Sequence, residues 1–161
     1  MAKHYLMSRK WSLTDRFTIA DDSGAPQFDV QGRFGFSRTL TIRDTTGREV
    51  AVLTKGALSR GFEIQAGGRR ATVRPRGFLG QRFEIEAGAD QLEARGNFSG
   101  RQYAVTRAGV PVAAVSQQQS LRDRFAVEVE DGEDPEFLLA VVLVIETIRA
   151  DRRRAAASAG G

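Results

Sequence analysis

Between residues 55 and 82 the chain carries seven cations, Lys55, Arg60, Arg69, Arg70, Arg74, Arg76 and Arg82, against one carboxylate, Glu63. That is a local charge of +6 inside a chain whose net charge is only +4, so the remainder is slightly negative. In "RRATVRPRG" (69–77), Arg70, Thr72, Arg74 and Arg76 alternate with Ala71 and Val73. Successive side chains of a strand point to opposite faces. With Ala71 and Val73 turned inward, Arg70, Thr72, Arg74 and Arg76 line up outside, successive side chains about 6.6–6.8 Å apart. A guanidinium presents a planar fork that matches two oxygens of a phosphate. The chemistry on offer is therefore capture of an anion, a lipid head group or another phosphate ligand, with Lys55, Arg60 and Arg82 joining from neighbouring strands. The competing use of such a row is plain: exposed arginines keep a strand soluble and guard a sheet edge.

Catalytic chemistry is poorly supplied. His4 is the only histidine and there is no cysteine, which removes a histidine triad, a thiolate nucleophile and a multi-histidine metal site. "GFSRT" (35–39) lacks the second glycine of a nucleophile elbow. "GALSRG" (56–61) is followed by Phe62 and Glu63, where a phosphate loop needs Lys and Ser or Thr. "GRFG" (32–35) is no dinucleotide fingerprint. Glu128, Glu130, Asp131, Glu133, Asp134 and Glu136 offer oxygens of the kind calcium prefers, but without the spacing of an EF-hand loop. They read as a solvated strand face and a helix start. The expectation is a binding domain, not an enzyme, with no cofactor and no metal. Few aromatics accompany the arginines and no recognition helix is available, so nucleic acid is not the expected partner.

A row of arginines needs a sheet to hold it. Up to about residue 130 the chain shows short alternating segments divided by turn signals such as "DDSGAP" (21–26), "DTTG" (44–47), "AGG" (66–68), "AGAD" (87–90) and "AG" (108–109). Pairs such as Phe17 with Ile19, Leu40 with Ile42, Val50 with Val52, Phe62 with Ile64, and Phe83 with Ile85 mark one apolar face. Val110, Val112 and Ala114 continue the pattern. Alternation broken at intervals of roughly ten residues predicts antiparallel hairpins with one buried face. Counting "HYLM" (4–7), it predicts about twelve strands and no helix before residue 134.

"DPEFLLAVVLVIETIRADRRR" (134–154) then changes the period. Asp134 can cap the free N–H groups of a first turn, and Pro135 suits the first helical position because its missing N–H would be unpaired there. The predicted helix, Glu136–Arg149, is about 21 Å long. Phe137, Leu138, Leu139, Val141, Val142, Leu143, Val144 and Ile145 make it apolar all the way round, as suits a helix surrounded by protein. Crossing a bilayer core takes about 20 apolar residues, so no transmembrane span is expected. A closed sheet of about twelve strands encloses more space than its own side chains fill. A barrel that needs a plug and a helix that needs walls point to one architecture: a mainly β, closed antiparallel barrel with a central hydrophobic C-terminal helix.

The segments "SLTDRFTIADDSG", "FDVQGRF", "LTIRDTTGREVAVL" and "PVAAVSQQ…LRDRFAVEVEDGEDPEFLLAVVLVIETI", in that order and ending in the apolar helix, resemble the LURP-one-related family over about residues 4–149. That family stands with the Tubby C-terminal-like and phospholipid scramblase-like domains. The resemblance implies the same twelve-stranded barrel around a helix. For function it implies little, although Tubby-type domains bind phosphoinositide head groups and are tethered at membranes. No shared motif carries their binding positions onto this chain.

The reading thus sets one domain over 1–149 and a flexible basic, small-residue tail over 150–161. Its function is to bind an anionic lipid head group or phosphate ligand through Arg70, Arg74, Arg76, Lys55, Arg60 and Arg82. The alternative is a protein-interaction scaffold with no small-molecule ligand. The lack of cysteine and of a secretory signal in "MAKHYLMSRKWSL" sets the expected location in the cytoplasm, peripheral at the membrane.

Overall fold

A computed structural model describes residues 2–10, 16–33, 38–56, 61–77, 81–117 and 124–159 of the 161-residue chain. Twelve strands precede one helix. They are β1 (Lys3–Lys10), β2 (Arg16–Asp21), β3 (Pro26–Arg33), β4 (Arg38–Asp44), β5 (Glu49–Lys55) and β6 (Phe62–Ala66), then β7 (Arg69–Arg76), β8 (Arg82–Ala87), β9 (Asp90–Asn97), β10 (Gln102–Arg107), β11 (Val110–Gln117) and β12 (Arg124–Val129). Each strand pairs antiparallel with its chain neighbours, and β1 pairs with β12, so the meander closes into a barrel with no free edge. The helix α1 (Pro135–Ala159) enters the barrel directly after β12.

Alternation holds on most strands. Phe17 and Ile19, Leu40 and Ile42, Phe62 and Ile64, and Phe83 and Ile85 are all buried. It slips on two. In β5 the pairing steps from Ile42↔Ala51 to Arg43↔Glu49, leaving Val50 as an extra residue. In β11 it steps from Val105↔Ala113 to Thr106↔Pro111, leaving Val112 extra. A bulge shifts the period by one residue. The inward positions beyond these two are therefore Ala51 and Leu53, and Ala113 and Val115, instead of the expected Val52 and Ala114; Val110 stands 64% exposed. A third bulge falls in β3, between Ile19 and Ala20 of its partner. All three sit just past a tight hairpin.

The helix fills the barrel. Every residue from Phe137 to Ile148 is buried, a stretch of roughly 18 Å at 1.5 Å per residue. Asp134 caps it, its Oδ1 accepting from the Phe137 N–H at 3.4 Å and its carbonyl from the Leu138 N–H at 3.1 Å. Among the described residues no helix is long and apolar enough to cross a membrane. The helix runs past the predicted end at Arg149: residues 150–159 continue α1, half-buried at Ala150 and Asp151 and exposed from Arg152 onward. Arg152–Arg154 therefore lie inside the helix and its last turn holds no cation. Alanine is the best helix former, and "AAASA" (155–159) propagates cheaply from a turn already nucleated by the buried stretch.

Candidate basic face and barrel mouth

The meander divides the barrel into two unlike ends. At one, here the turn end, hairpins after β2, β4, β6, β8 and β10 reverse the chain and α1 enters; at the other, the loop end, α1 leaves. In the two strand positions nearest the loop end stand Arg9, Arg16, Arg33, Arg38, Lys55, Arg76, Arg82 and Arg124, with Glu63 the only carboxylate among the described residues there. Arg149, Asp151 and Arg152–Arg154 of α1 rise through their midst, Asp151 adding a second carboxylate. The turn end is the reverse: Asp21, Asp44, Glu49, Glu86, Asp90 and Glu128 close the strands, and Asp22, Glu130, Asp131, Glu133 and Asp134 fill the turns, against Lys3, Arg43, Arg48, Arg69, Arg70 and Arg107.

The predicted arginine row divides between those ends. Arg70, Arg74 and Arg76 are exposed on β7 while Ala71 and Val73 are buried, as the alternation requires. Arg82 joins them, directly opposite Arg76 on β8. Arg70 lies six positions from Arg76, about 20 Å along the strand, and so belongs to the turn-end half. Lys55 does not reach this face: it shares the inner side of β5 with Leu53, its Nζ 4.0 Å from Asp151 and 5.9 Å from the Phe62 ring centre. Arg60 lies outside the described residues. Arg69 faces inward, its guanidinium 4.0 Å from the centre of the Phe137 ring.

Neighbouring strands bring carboxylates that a count along residues 55–82 does not see. Arg74 stands opposite Glu84, and Glu84 opposite Glu93. Arg76 Nε donates to Glu84 at 2.9 Å, Arg95 Nε is 2.8 Å from Glu93, and Arg82 Nε is 3.8 Å from it. The upper outer face is therefore four arginines, Arg74, Arg76, Arg82 and Arg95, around two carboxylates. Arg74 makes no ion pair among the described residues. The face keeps a positive excess, smaller than +6, and Arg95 is its unforeseen member.

A family model described as LURP-one-related matches residues 3–146. The chain belongs to that family. Among solved structures, an X-ray structure of a protein from Arabidopsis thaliana is 18% identical with a TM-score of 0.70, over 92% of this chain and 91% of that one. At that identity the likeness speaks for the fold. No curated protein matches the sequence.

In this LURP-one-related barrel two polar clusters hold the helix. Toward the loop end, Glu146 is buried inside the barrel. Its Oε1 accepts from Arg101 Nε at 2.7 Å and lies 3.5 Å from Arg149 Nη1, while its Oε2 accepts from the Tyr103 hydroxyl at 2.9 Å. Arg101 also donates to Gln117 at 3.1 Å and stacks over Phe125 at 4.7 Å. Arg149 donates to the carbonyls of Phe98 and Ser99 at 2.7 and 2.9 Å, tying helix to turn. Burial, then the Glu146 charge, pushes the Tyr103 hydroxyl well above its usual range; burial lowers the Arg149 pKa. Two backbone features aim this turn. Arg101 adopts φ of 50°, and a Cβ on Gly96 would come within 2.5 Å of the Gln102 carbonyl, so the crossing of β9 and β10 demands glycine there.

Toward the turn end, Arg107 donates to both Asp90 oxygens at 2.8 and 2.9 Å and to Glu133, while Arg69 reaches Asp90 at 3.2 Å. The Arg107 hydrogen bond holds the Asp90 carboxyl below its usual range and raises the Arg107 pKa in turn. Asp21 and Asp44 are held low as well, first by the Ser23 and Thr46 hydroxyls that donate to them at 2.6 Å. Of the acidic run, Glu133 and Asp134 thus work as network and cap. Among the described residues no cluster of His, Cys, Asp and Glu is arranged to hold a metal.

Proposed function

We propose that the chain is a non-enzymatic binding domain that docks anionic lipid head groups with the loop end of its barrel, working at the cytoplasmic face of a membrane as a peripheral protein. One observation carries this reading: cations crowd one end of the barrel and carboxylates the other, so the loop end attracts an anionic surface that the turn end repels. Each arginine near such a surface contributes about 1 kcal/mol, and the attraction fades within a Debye length as salt rises. Arg74, Arg76, Arg82 and Arg95 supply forks for phosphate oxygens. The absence of cysteine and the single histidine support the lack of catalysis.

Co-sedimentation with phosphatidylcholine vesicles, with and without phosphatidylserine, tests the reading. Binding is expected only to the acidic vesicles and only at low salt. Arg74→Glu with Arg76→Glu reverses two charges and is expected to weaken it at least about tenfold. Equal binding by the folded double variant removes the proposal. A protein-interaction scaffold is the second reading. It draws on an outer depression where the small side chains of Ala104, Ala114 and Ala126 are flanked by His4, Arg95 and Glu128. It predicts a stable complex indifferent to both substitutions.

A further inference from the structure

A second cationic pair faces inward at the barrel mouth. Arg38 shares the inner side of β4 with Leu40 and Ile42, Lys55 that of β5 with Leu53, and the two are direct cross-strand partners. Like charges placed opposite each other on adjacent strands repel. The arrangement is stable because an anion stands between them: Arg38 Nη1 donates to both Asp151 oxygens at 2.6 and 2.8 Å, and Lys55 Nζ lies 4.0 Å away. Asp151 is not a wall residue. It rides on the last half-buried turn of α1, after which residues 152–159 are exposed.

We infer that Arg38 and Lys55 form an anion site for a phosphate monoester, and that the chain's own Asp151 carboxylate occupies it as a built-in stand-in. The chemistry fits a phosphate better than the carboxylate that fills it. A guanidinium grips two oxygens and the ammonium meets a third, whereas a carboxylate has only two oxygens to give. Arg38 and Lys55 side chains are 13% and 29% exposed, enough shielding to strengthen the interaction and enough opening for exchange. For a phosphate to bind, the helical extension must release Asp151, so apparent affinity is reduced by the fraction of time the site is open. The site is separate from the outer arginines and stands whether or not those bind lipid.

Asp151→Asn removes the internal competitor. At constant ionic strength, isothermal titration with inorganic phosphate is expected to show binding at least about tenfold tighter than in the unaltered chain. Lys55→Met added to Asp151→Asn is expected to abolish that gain. If Asp151→Asn is unstable in chloride, phosphate at equal ionic strength is expected to restore its melting temperature, which reads the same gain through linkage. Phosphatidylcholine vesicles bearing phosphatidic acid, which displays the same monoester, separate the sources. A gain over the unaltered chain on both probes admits a membrane-borne group, and a gain on inorganic phosphate alone assigns a free ligand. No gain and no restoration, or a gain that survives Lys55→Met, overturns the inference and leaves Asp151 as a helix anchor only.

Discussion

The two ends of the barrel fasten the same helix by opposite means. At the turn end, Arg69 and Arg107 meet Asp90 and Glu133, two cations against two carboxylates, all partly exposed. Toward the loop end one carboxylate, Glu146, is 2% exposed and is met by Arg101, Arg149 and the Tyr103 hydroxyl. The first arrangement is balanced, solvated and replaceable. The second commits a charge to the barrel interior, where it is tolerable only while every partner stays in place. Beyond these clusters carboxylates outnumber cations at the turn end and cations outnumber carboxylates on the strands of the loop end, which is why the proposed anion docking is assigned to the loop end.

The largest effect expected from this contrast is therefore at Arg101. Arg101→Met keeps an apolar stem over Phe125 but strips the shortest hydrogen bond from a buried carboxylate, and is expected to cost about 3–5 kcal/mol in urea unfolding. Arg149 remains nearby, which favours the lower figure. Adding Glu146→Gln removes the stranded charge yet still accepts from Tyr103, so the double variant is expected to regain a substantial part of the loss. If Arg101→Met is no worse than a surface change, the buried cluster does not hold the helix.

The equivalent change at the turn end, Arg107→Met, is expected to cost about 1 kcal/mol, because exposed ion pairs contribute little and salt screens them. The two variants should also part in high salt. Raising sodium chloride is expected to shrink the Arg107 deficit and leave the Arg101 deficit nearly unchanged. Equal losses, or equal salt responses, would erase the distinction between the ends.

Much of this architecture is legible in the sequence, because hydrophobic period and capping are local signals. Asp134–Pro135 marks the helix start, and the apolar girth of 137–145 places it inside. The bulges at Val50 and Val112 are not legible, since nothing in "EVAVL" or "VPVAAV" says which valine is the extra residue until a partner strand sets the register. The same limit hid the acids of the arginine face. Glu84 and Glu93 oppose Arg74 only through pairing across β7, β8 and β9. Glu146 and Arg101 lie 45 residues apart, and their meeting depends on how far α1 is threaded. Lys55 falls under the same limit: with Val50 and Val52 turned inward it would face out, and only the bulge at Val50 places it on the inner side beside Leu53.

The smallest and most selective prediction concerns acid. Asp90 is held below its usual range chiefly by the hydrogen bond from Arg107, with Arg69 adding attraction. A carboxyl whose folded pKa is depressed stabilises the fold above its unfolded value of about 3.9, and that contribution disappears as pH falls through the folded value. Asp90→Asn is thus expected to lower stability slightly at pH 7 and to give a shallower decline below about pH 4, read from urea midpoints at pH 7, 4 and 3. The decline should not vanish, because Asp21 and Asp44 are held low by their own turns at the same end. Acid should accordingly loosen the turn end first, with amide exchange rising in the hairpins after β2, β4 and β8 before the β9–β10 turn that Arg149 holds. Protection lost first in that turn would reverse the ranking of the two ends.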